Sequence, residues 1–353
     1  MAKNLMKGNE ALAMAAIEAG CTHFFGYPIT PQNEIPEYLA RELPAHDGIF
    51  LQAESELAAI NMVYGAAAAG ARALTTSSSP GIALMQEGLS LLAAAEMPCV
   101  VVNVQRGGPG IGGIQPSQAD YYQMTRGGGN GDYRIPSLAP ASVQESAEMM
   151  LEAFEMADYY RTPVFIVSDG VLGQMMEPVE LTGISPRKLP AKDWKVTGHG
   201  NSRAPRTIKT LVLVAELLEE INLRLQEKYR RIEKEERRWE EYKMEGAEIV
   251  MVAYGTTSRI VKNAIDLLDG EIAVGLIRPQ TLWPFPVQPF RALPQSCTGI
   301  LCVEMSCGQM IDDVRLAVNG RMEVDFYGRV GGVIPAPQEI AEAIRKCRGR
   351  VAV

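Results

Sequence analysis

The chain has 353 residues, of which 47% are apolar and 22% charged, a composition that suits a globular protein of about two domains of ~100–200 residues each. A formal charge of −8 with no clustered Lys/Arg face argues against a nucleic-acid surface. No apolar run reaches the ~18 residues of a membrane span, and MAKNLMKGNEALAMAA has no uninterrupted hydrophobic stretch before Glu10, so a cytoplasmic protein with no membrane partner is expected.

In chain order, GNEALAMAAIEAG predicts a first helix closed by Gly20, and THFFGYP a short aromatic strand that runs into a proline loop. GIFLQA predicts a strand, SELAAINMVYGAAAAG an alanine-rich helix, RALTTSS a strand and GIALMQEGLSLLAAA a helix. The buried strand PCVVVNV, a glycine-rich loop, the helix SVQESAEMMLEAFEMADYY and the strand TPVFIVSD follow. Strands that alternate with helices, some apolar throughout, indicate a parallel sheet covered on both faces.

After about Val179 the texture changes. LTGISPRKLPAKDWKVTGHGNSRAPRT reads as a linker. The next segment, LVLVAELLEEINLRLQEKYRRIEKEERRWEEYKME, reads as one long charged helix or helical pair with Leu211, Val214, Leu218, Ile221 and Leu225 on one stripe. From Ala247 a second alternating block runs through AEIVMVAYG, SRIVKNAIDLL, EIAVGLIRP, GILCVEM, MIDDVRLAVNG, MEVDFYG and PQEIAEAIRK. The fold class is therefore α/β, in three parts: a parallel-sheet domain over 1–185, a linker and charged helix over 186–245, and a smaller α/β domain over 246–353.

Cys21, Cys99, Cys297, Cys302, Cys307 and Cys347 are scattered, several in apolar runs, as expected of core thiols in a reducing compartment. The last-domain trio recurs at five-residue intervals, but no C-x-x-C pair exists, and His23 and His46 have no spaced partner. No metal site is expected in this chain.

Ligands of open α/β sheets gather at the carboxyl ends of the strands, so four loops attract attention: YPITP, QAESE, TTSSSPG and QRGGPGIGG. Pro28 and Pro31 fix their own φ and restrain Tyr27 and Thr30, which makes a stiff loop that presents the Thr30 hydroxyl. Two acids, Glu54 and Glu56, sit at the second junction, where an acid ordinarily stays exposed beside the helix dipole; Glu56 is followed by Ala58, Ala59 and Val63 on a close-packing side. A carboxyl carried into such a dry site can share a proton with a ring nitrogen. The serines of TTSSSPG offer hydroxyls just before a helix, where capping and ligand binding are both open. Arg106, ahead of glycines that remove bulk around it, could clamp a carboxylate. Gly108, Gly110 and Gly112 have G-x-G-like spacing, but IQPSQADYYQ lacks the context of a nicotinamide-dinucleotide site.

Taken together, GNEALAMAAIEAGCTHFFGYPITPQNEIPEYL, ELAAINMVYGAA, TTSSSPGIALMQEGL and VVNVQRGGPG resemble the alpha-type chain of the 2-oxoacid:ferredoxin oxidoreductases, which are thiamin-diphosphate enzymes. The resemblance covers essentially the whole chain. It implies a thiamin-diphosphate-binding domain of the pyrimidine type, followed by a transketolase C-terminal-like domain that carries LIRPQTLWPFP. In thiamin enzymes a glutamate nine positions before a helix glycine contacts N1′ of the aminopyrimidine, and Gly65 selects Glu56 for that role. The same resemblance assigns Thr30 and Arg106 to the carboxylate of the 2-oxoacid, and Ser77 to Ser79, with Tyr27 and Pro28, to the cofactor's surroundings.

The form YPITPQNEIPEYL, in place of a YPITPSTE-like version, is most similar to the branched-chain members, which act on 3-methyl-2-oxobutanoate (2-oxoisovalerate). Members specific for 2-oxoglutarate, pyruvate or indolepyruvate, and a non-catalytic scaffold subunit, are the alternatives. The resemblance implies oxidative decarboxylation to an acyl-coenzyme A with electrons passed to ferredoxin. SDGVLG at 168–173 lacks the first glycine and downstream asparagines of the diphosphate motif, and no cluster cysteines are present. The diphosphate site, Mg2+ and the [4Fe–4S] clusters are thus expected on partners: a beta-type subunit, and gamma and ferredoxin-like subunits.

Overall fold

Long buried strands set the frame: CVVVNVQ and PVFIVSD are buried at every residue, which places them in the middle of a sheet covered on both sides. The computed structural model of the protein describes residues 4–181 and 187–351. Its strands are β1 (Asn4–Lys7), β2 (His23–Gly26), β3 (Ile49–Gln52), β4 (Ala73–Ser77), β5 (Cys99–Gln105), β6 (Ser137–Leu138), β7 (Pro163–Asp169) and β8 (Met176–Val179). The later ones are β9 (Trp239–Tyr242), β10 (Ile249–Val252), β11 (Val274–Pro279), β12 (Thr281–Trp283), β13 (Gly299–Glu304) and β14 (Val324–Gly328).

The first sheet has the order β12-β6-β7-β5-β4-β2-β3, parallel throughout except for β12, which joins antiparallel to β6. The second has the order β14-β13-β10-β11-β9, with only β9 antiparallel. β1 and β8 form a separate antiparallel pair. Each sheet is covered by helices: Gly8–Glu18 packs against Val143–Tyr160 on the first sheet, and Gly255–Leu267 against Pro337–Val351 on the second. A fully buried Val, Ile, Leu or Phe in such layers stabilises the fold by ~1.5–3 kcal/mol. Among the described residues, no helix is long and apolar enough to cross a membrane.

Two expectations change. The charged segment is helical only over Ala215–Glu235 and then becomes β9, the edge strand of the second sheet. Its buried stripe is Leu225, Tyr229 and Ile232; Leu211 and Val214 precede the helix, and they and Leu218 are exposed. The reason is the position of the body, which the helix reaches only in its second half: Arg224 and Lys228 pair there with Glu96, and Tyr229 packs edge-on against Trp283. The predicted helix GIALMQEGLSLLAAA is two helices, Ser79–Leu84 and Gln86–Ala94, meeting at Met85. Part of the linker, residues 182–186, lies outside the described residues.

The two sheets interlock. β12 comes from the second half of the chain yet completes the first sheet. Gln118, from the first half, is buried between them: its amide nitrogen donates to Tyr254 O at 2.9 Å, and its amide oxygen accepts from Thr257 Oγ1 at 2.8 Å and Met305 N at 3.0 Å. The loops that leave β5 therefore face those that leave β10 and β13.

Candidate functional site at the carboxyl ends of β2, β4 and β5

The proline loop is held from below. Gln32 is fully buried, donates to Tyr27 O at 3.3 Å and accepts from Thr76 Oγ1 at 2.5 Å, so it ties the loop to β4. Asn9, also fully buried, donates to Pro31 O at 2.9 Å and to Glu34 Oε2 at 2.8 Å. Tyr27 and Pro28 are exposed; Pro28 lines a cleft with Gly26, Asn33, Phe50 and Gln52. Thr30 is half-buried, and its backbone carbonyl, rather than its hydroxyl, accepts from Arg106 Nη1 at 2.9 Å.

Glu56 opens the helix Glu56–Ala68 directly after its N-cap, Ser55, whose hydroxyl accepts from Ala58 N at 3.2 Å. Ala59 and Val63 are buried on the helix's packed side, which carries the Glu56 carboxylate inward, while Glu54 stays exposed. Glu56 is 5% exposed, and among the described residues its carboxylate has no hydrogen-bond or ion-pair partner. Across from it, Gly81 leaves a narrow gap: a Cβ there would lie 2.4 Å from Glu56 Oε1 and 2.0 Å from Ser77 Oγ. The hydroxyls of Ser77 and Ser78 are buried without a partner, a state that costs free energy unless something binds there.

Arg106 is 8% exposed at the end of β5. Nη1 and Nη2 donate to Thr30 O and Ile111 O, each at 2.9 Å, while Nε is buried without a partner. Two of its five N–H groups are thus used on neutral carbonyls, and among the described residues no carboxylate pairs with it. Ser79 binds the Arg106 backbone, its hydroxyl accepting from Arg106 N at 3.0 Å; its own hydrogen is within reach of both Arg106 O, at 3.2 Å, and Asp120 Oδ2. Asn103 Nδ2 also donates to Asp120 Oδ2, at 2.9 Å. Burial pushes the Asp120 carboxyl up, against the opposing hydrogen bonds from Ser79 and Asn103.

Two clusters therefore meet through three consecutive serines: Glu56 with Ser77, and Arg106 with Thr30 and Ser79. Tyr27 contributes only its carbonyl, through Gln32, and Pro28 lies apart. Sequence reading passed over Gly81, Gln32, Asn103 and Asp120. Asn103 alone carried a visible signal, being an amide flanked by valines inside the buried strand β5.

A second cleft, of about 310 Å3, is lined by Thr30, Pro31, Ile114, Pro116 and Val171, and on its second-sheet side by Ile334. Glu34 is also in its wall; burial pushes this carboxyl up, but hydrogen bonds from Gln174, Asn9 and Lys7 outweigh that and hold it below its ordinary value.

The pyrimidine end of thiamin diphosphate fits the first cluster. A buried, unpartnered carboxylate beside orphaned hydroxyls suits a planar ring whose nitrogen carries a proton, and Gly81 keeps the space open. The second cluster is a buried cation with no counter-ion among the described residues, suited to a carboxylate.

Comparison with known proteins gives concordant results. A family model described as "Pyruvate flavodoxin/ferredoxin oxidoreductase, thiamine diP-bdg" matches residues 14–244, and one described as "Pyruvate:ferredoxin oxidoreductase core domain II" matches 247–340. The chain is 48% identical over 350 residues to ketoisovalerate oxidoreductase subunit VorB of Methanothermobacter thermautotrophicus, covering 99% of each chain. It is 36% identical over 379 residues to 2-oxoglutarate synthase subunit KorA of Methanocaldococcus jannaschii, covering 98% of this chain and all of that one. Among solved structures, the 2-oxoglutarate:ferredoxin oxidoreductase of Magnetococcus marinus superimposes with a TM-score of 0.86 at 28% identity, covering 98% of this chain and 65% of that one. A split-gene transketolase beta4 tetramer gives a TM-score of 0.61 at 13% identity, a likeness of fold alone.

Proposed function

Because the chain belongs to the 2-oxoacid:ferredoxin oxidoreductase family, as an alpha-type subunit with a thiamin-diphosphate-binding fold, we propose that it carries the pyrimidine and substrate-carboxylate half of an active site for a branched-chain 2-oxoacid, 3-methyl-2-oxobutanoate. The observation that carries this reading is the pair of complementary vacancies in hydrogen bonding on neighbouring strand ends. Glu56 is a buried carboxylate and Arg106 a buried guanidinium, and among the described residues the first has no hydrogen-bond donor and the second no anion.

Thiamin diphosphate, when bound, supplies the carbon nucleophile that attacks the keto group. This chain's residues orient and polarise. Glu56 holds a proton shared with the pyrimidine ring, with its carboxylate fixed by the helix start and the Gly81 gap. Arg106 offers its remaining N–H groups to the oxoacid carboxylate beside Thr30, in a loop already rigid through Pro28, Pro31 and Gln32, so little ordering remains to be done on binding. Ser77, Ser78 and Ser79 border the cofactor between the two, while Tyr27 and Pro28, proposed from the sequence as cofactor neighbours, act only through the loop that Gln32 holds.

The branched-chain preference is supported by the higher identity to ketoisovalerate than to 2-oxoglutarate enzymes. It is also supported by the Thr30 cleft, where Ile114, Val171 and Ile334 suit an isopropyl group. A second carboxylate, as in 2-oxoglutarate, would meet the ionised Glu34 there, and Lys7 is already paired with Glu34 at 3.3 Å. Mg2+, the diphosphate site and the iron–sulfur clusters are assigned to the beta-type, gamma and ferredoxin-like partners of a cytoplasmic complex that uses coenzyme A and ferredoxin. A division of the chain near residue 245 is supported by the two family matches.

The test is a substrate panel on the complex co-purified with this chain, read as coenzyme-A-dependent ferredoxin reduction. The expected order of kcat/KM puts 3-methyl-2-oxobutanoate above pyruvate, 2-oxoglutarate and indolepyruvate. Glu56→Gln is expected to abolish turnover while the complex still assembles. Wild-type-like turnover of that variant would remove Glu56 from the chemistry, and a preference for 2-oxoglutarate would overturn the substrate assignment.

A further inference from the structure

Between the two sheets runs the segment 117–126, and both of its flanks are fixed by the second sheet. Ser117 Oγ donates to Met305 O at 3.3 Å, and Gln309 Nε2 to Ala119 O at 2.7 Å. Tyr122 N donates to Gln309 Oε1 at 2.8 Å, and the fully buried Tyr121 hydroxyl to Asp313 Oδ2 at 2.6 Å. Asp120 stands in the middle of this clamp and points the other way, toward the substrate end of the site.

We propose that Asp120 is a positioning residue for oxoacid binding, acting on Arg106 through Ser79. This inference rests on the reading of Arg106 as the carboxylate receptor. A serine hydroxyl has one hydrogen, and two acceptors compete for that of Ser79: Asp120 Oδ2 and, at 3.2 Å, Arg106 O. The carboxylate, as the stronger acceptor, takes it. That leaves the Ser79 lone pairs facing Arg106 N at 3.0 Å and completes a chain from the Arg106 amide through Ser79 to Asp120. Asn103 Nδ2, anchored in β5, holds the same carboxylate oxygen from the other side. The guanidinium itself is steered by Thr30 O and Ile111 O, but the backbone from which it projects is set by this chain of bonds. Loss of the acceptor frees the Ser79 hydroxyl to turn to Arg106 O, which releases the amide and lets the end of β5 relax.

The test uses the assembled complex. Asp120→Ala is expected to lower kcat/KM for the oxoacid about tenfold to a hundredfold, the range of a hydrogen bond to a charged group, mainly through KM. Affinity for thiamin diphosphate, titrated separately, is expected to hold. Asp120→Asn, whose carbonyl oxygen can still accept from Ser79 and Asn103, is expected to restore most of the loss. Ser79→Ala combined with Asp120→Ala is expected to be no worse than the more damaging single variant, because both break one chain. Additive losses, or an Asp120→Ala enzyme with unchanged KM, would overturn the proposal; so would equal damage in the Ala and Asn variants with thiamin affinity lost alongside. Arg106→Ala separates this inference from its premise. Unchanged kcat/KM there removes the carboxylate receptor itself, whereas a collapse there beside a silent Asp120→Ala removes Asp120 alone.

Discussion

Gly81 governs the fit between Glu56 and its surroundings more sharply than any side chain does. A methyl group there would meet both Ser77 Oγ at 2.0 Å and Glu56 Oε1 at 2.4 Å, distances that real Cβ atoms do not tolerate. Both oxygens must therefore move in Gly81→Ala. Displacement of a catalytic group by about 1 Å can cost ~100-fold in rate, so kcat for Gly81→Ala is expected to fall by about that factor, far more than its effect on thermal unfolding would suggest. A variant with normal kcat would mean that the gap serves only packing. The burial of Glu56 was legible: an acid at a helix start followed by Ala58, Ala59 and Val63 on one side goes inward, and Glu56 is buried while Glu54 is exposed. Gly81 was not legible, because SSSPG reads equally well as a cap and turn, and the reason for its glycine lies in another element. Thr30 was half legible. The stiffness of its loop follows from two prolines, but the use of its carbonyl to steer Arg106 depends on where β5 ends.

At the scale of elements, the charged run after Ala215 illustrates how a local pattern loses to a distant partner. EERRWEEY continues the helical composition before it, yet Trp239–Tyr242 pairs antiparallel with Leu276–Pro279. The buried Arg278 lies on that neighbouring strand, and β9 brings Glu240 to its Nε at 2.6 Å while Glu145 takes its other end. No helical periodicity announces that demand. The turn between helix and strand is held by Glu236, which is 2% exposed and accepts from Arg187 Nη2 and Arg238 Nη2, both at 3.0 Å, and from Tyr160 at 2.8 Å. Burial pushes this carboxyl up, but the hydrogen bonds from Arg187 and Tyr160 and the charges of Arg187 and Arg238 outweigh burial, so it sits below its ordinary value of 4.5. Between those two values the unfolded chain binds more protons than the folded one. The stabilisation is therefore complete above about pH 4.5 and declines as the pH falls through the lower, folded value. Glu236→Gln is expected to cost about 2 kcal/mol at neutral pH, less than for a wholly buried pair because both arginines are partly solvated. It should also flatten the fall in Tm as the pH drops below about 4.5, the ordinary value from which this carboxyl is lowered. An unaltered acid limb would assign the acid sensitivity to other carboxylates.

At the scale of the whole molecule, the two alternating blocks announced two sheets, but not their interlock. β12 has three residues and runs against its neighbour, too short for a periodic signal, and Gln118 is one amide in a loop. At the same scale, apolar side chains lie exposed on the elements around Glu56. Leu57, next to Glu56, is 46% exposed, Met62 37%, and Leu84, at the end of the helix that starts at Ser79, 56%; Ile49 and Leu51 lie exposed on β3, the edge of the first sheet. Apolar side chains gathered at one end of a sheet mark a surface that another chain covers. This one borders the buried Glu56 carboxylate, and we propose that the chain that covers it is the beta-type subunit. Replacing Leu57 and Leu84 together by glutamate tests this directly. Both side chains are already largely in water in the isolated chain, so the stability of the chain alone is expected to change by no more than about 0.5 kcal/mol for each. In the complex, each new carboxylate would have to be desolvated without a partner, at a cost of several kcal/mol, which is large against the few anchors that hold most interfaces. The double variant is accordingly expected to purify as a folded chain stripped of its beta-type partner and unable to retain thiamin diphosphate. Recovery of the intact complex at wild-type stoichiometry would move the partner to another face and leave the exposed leucines without an occupant.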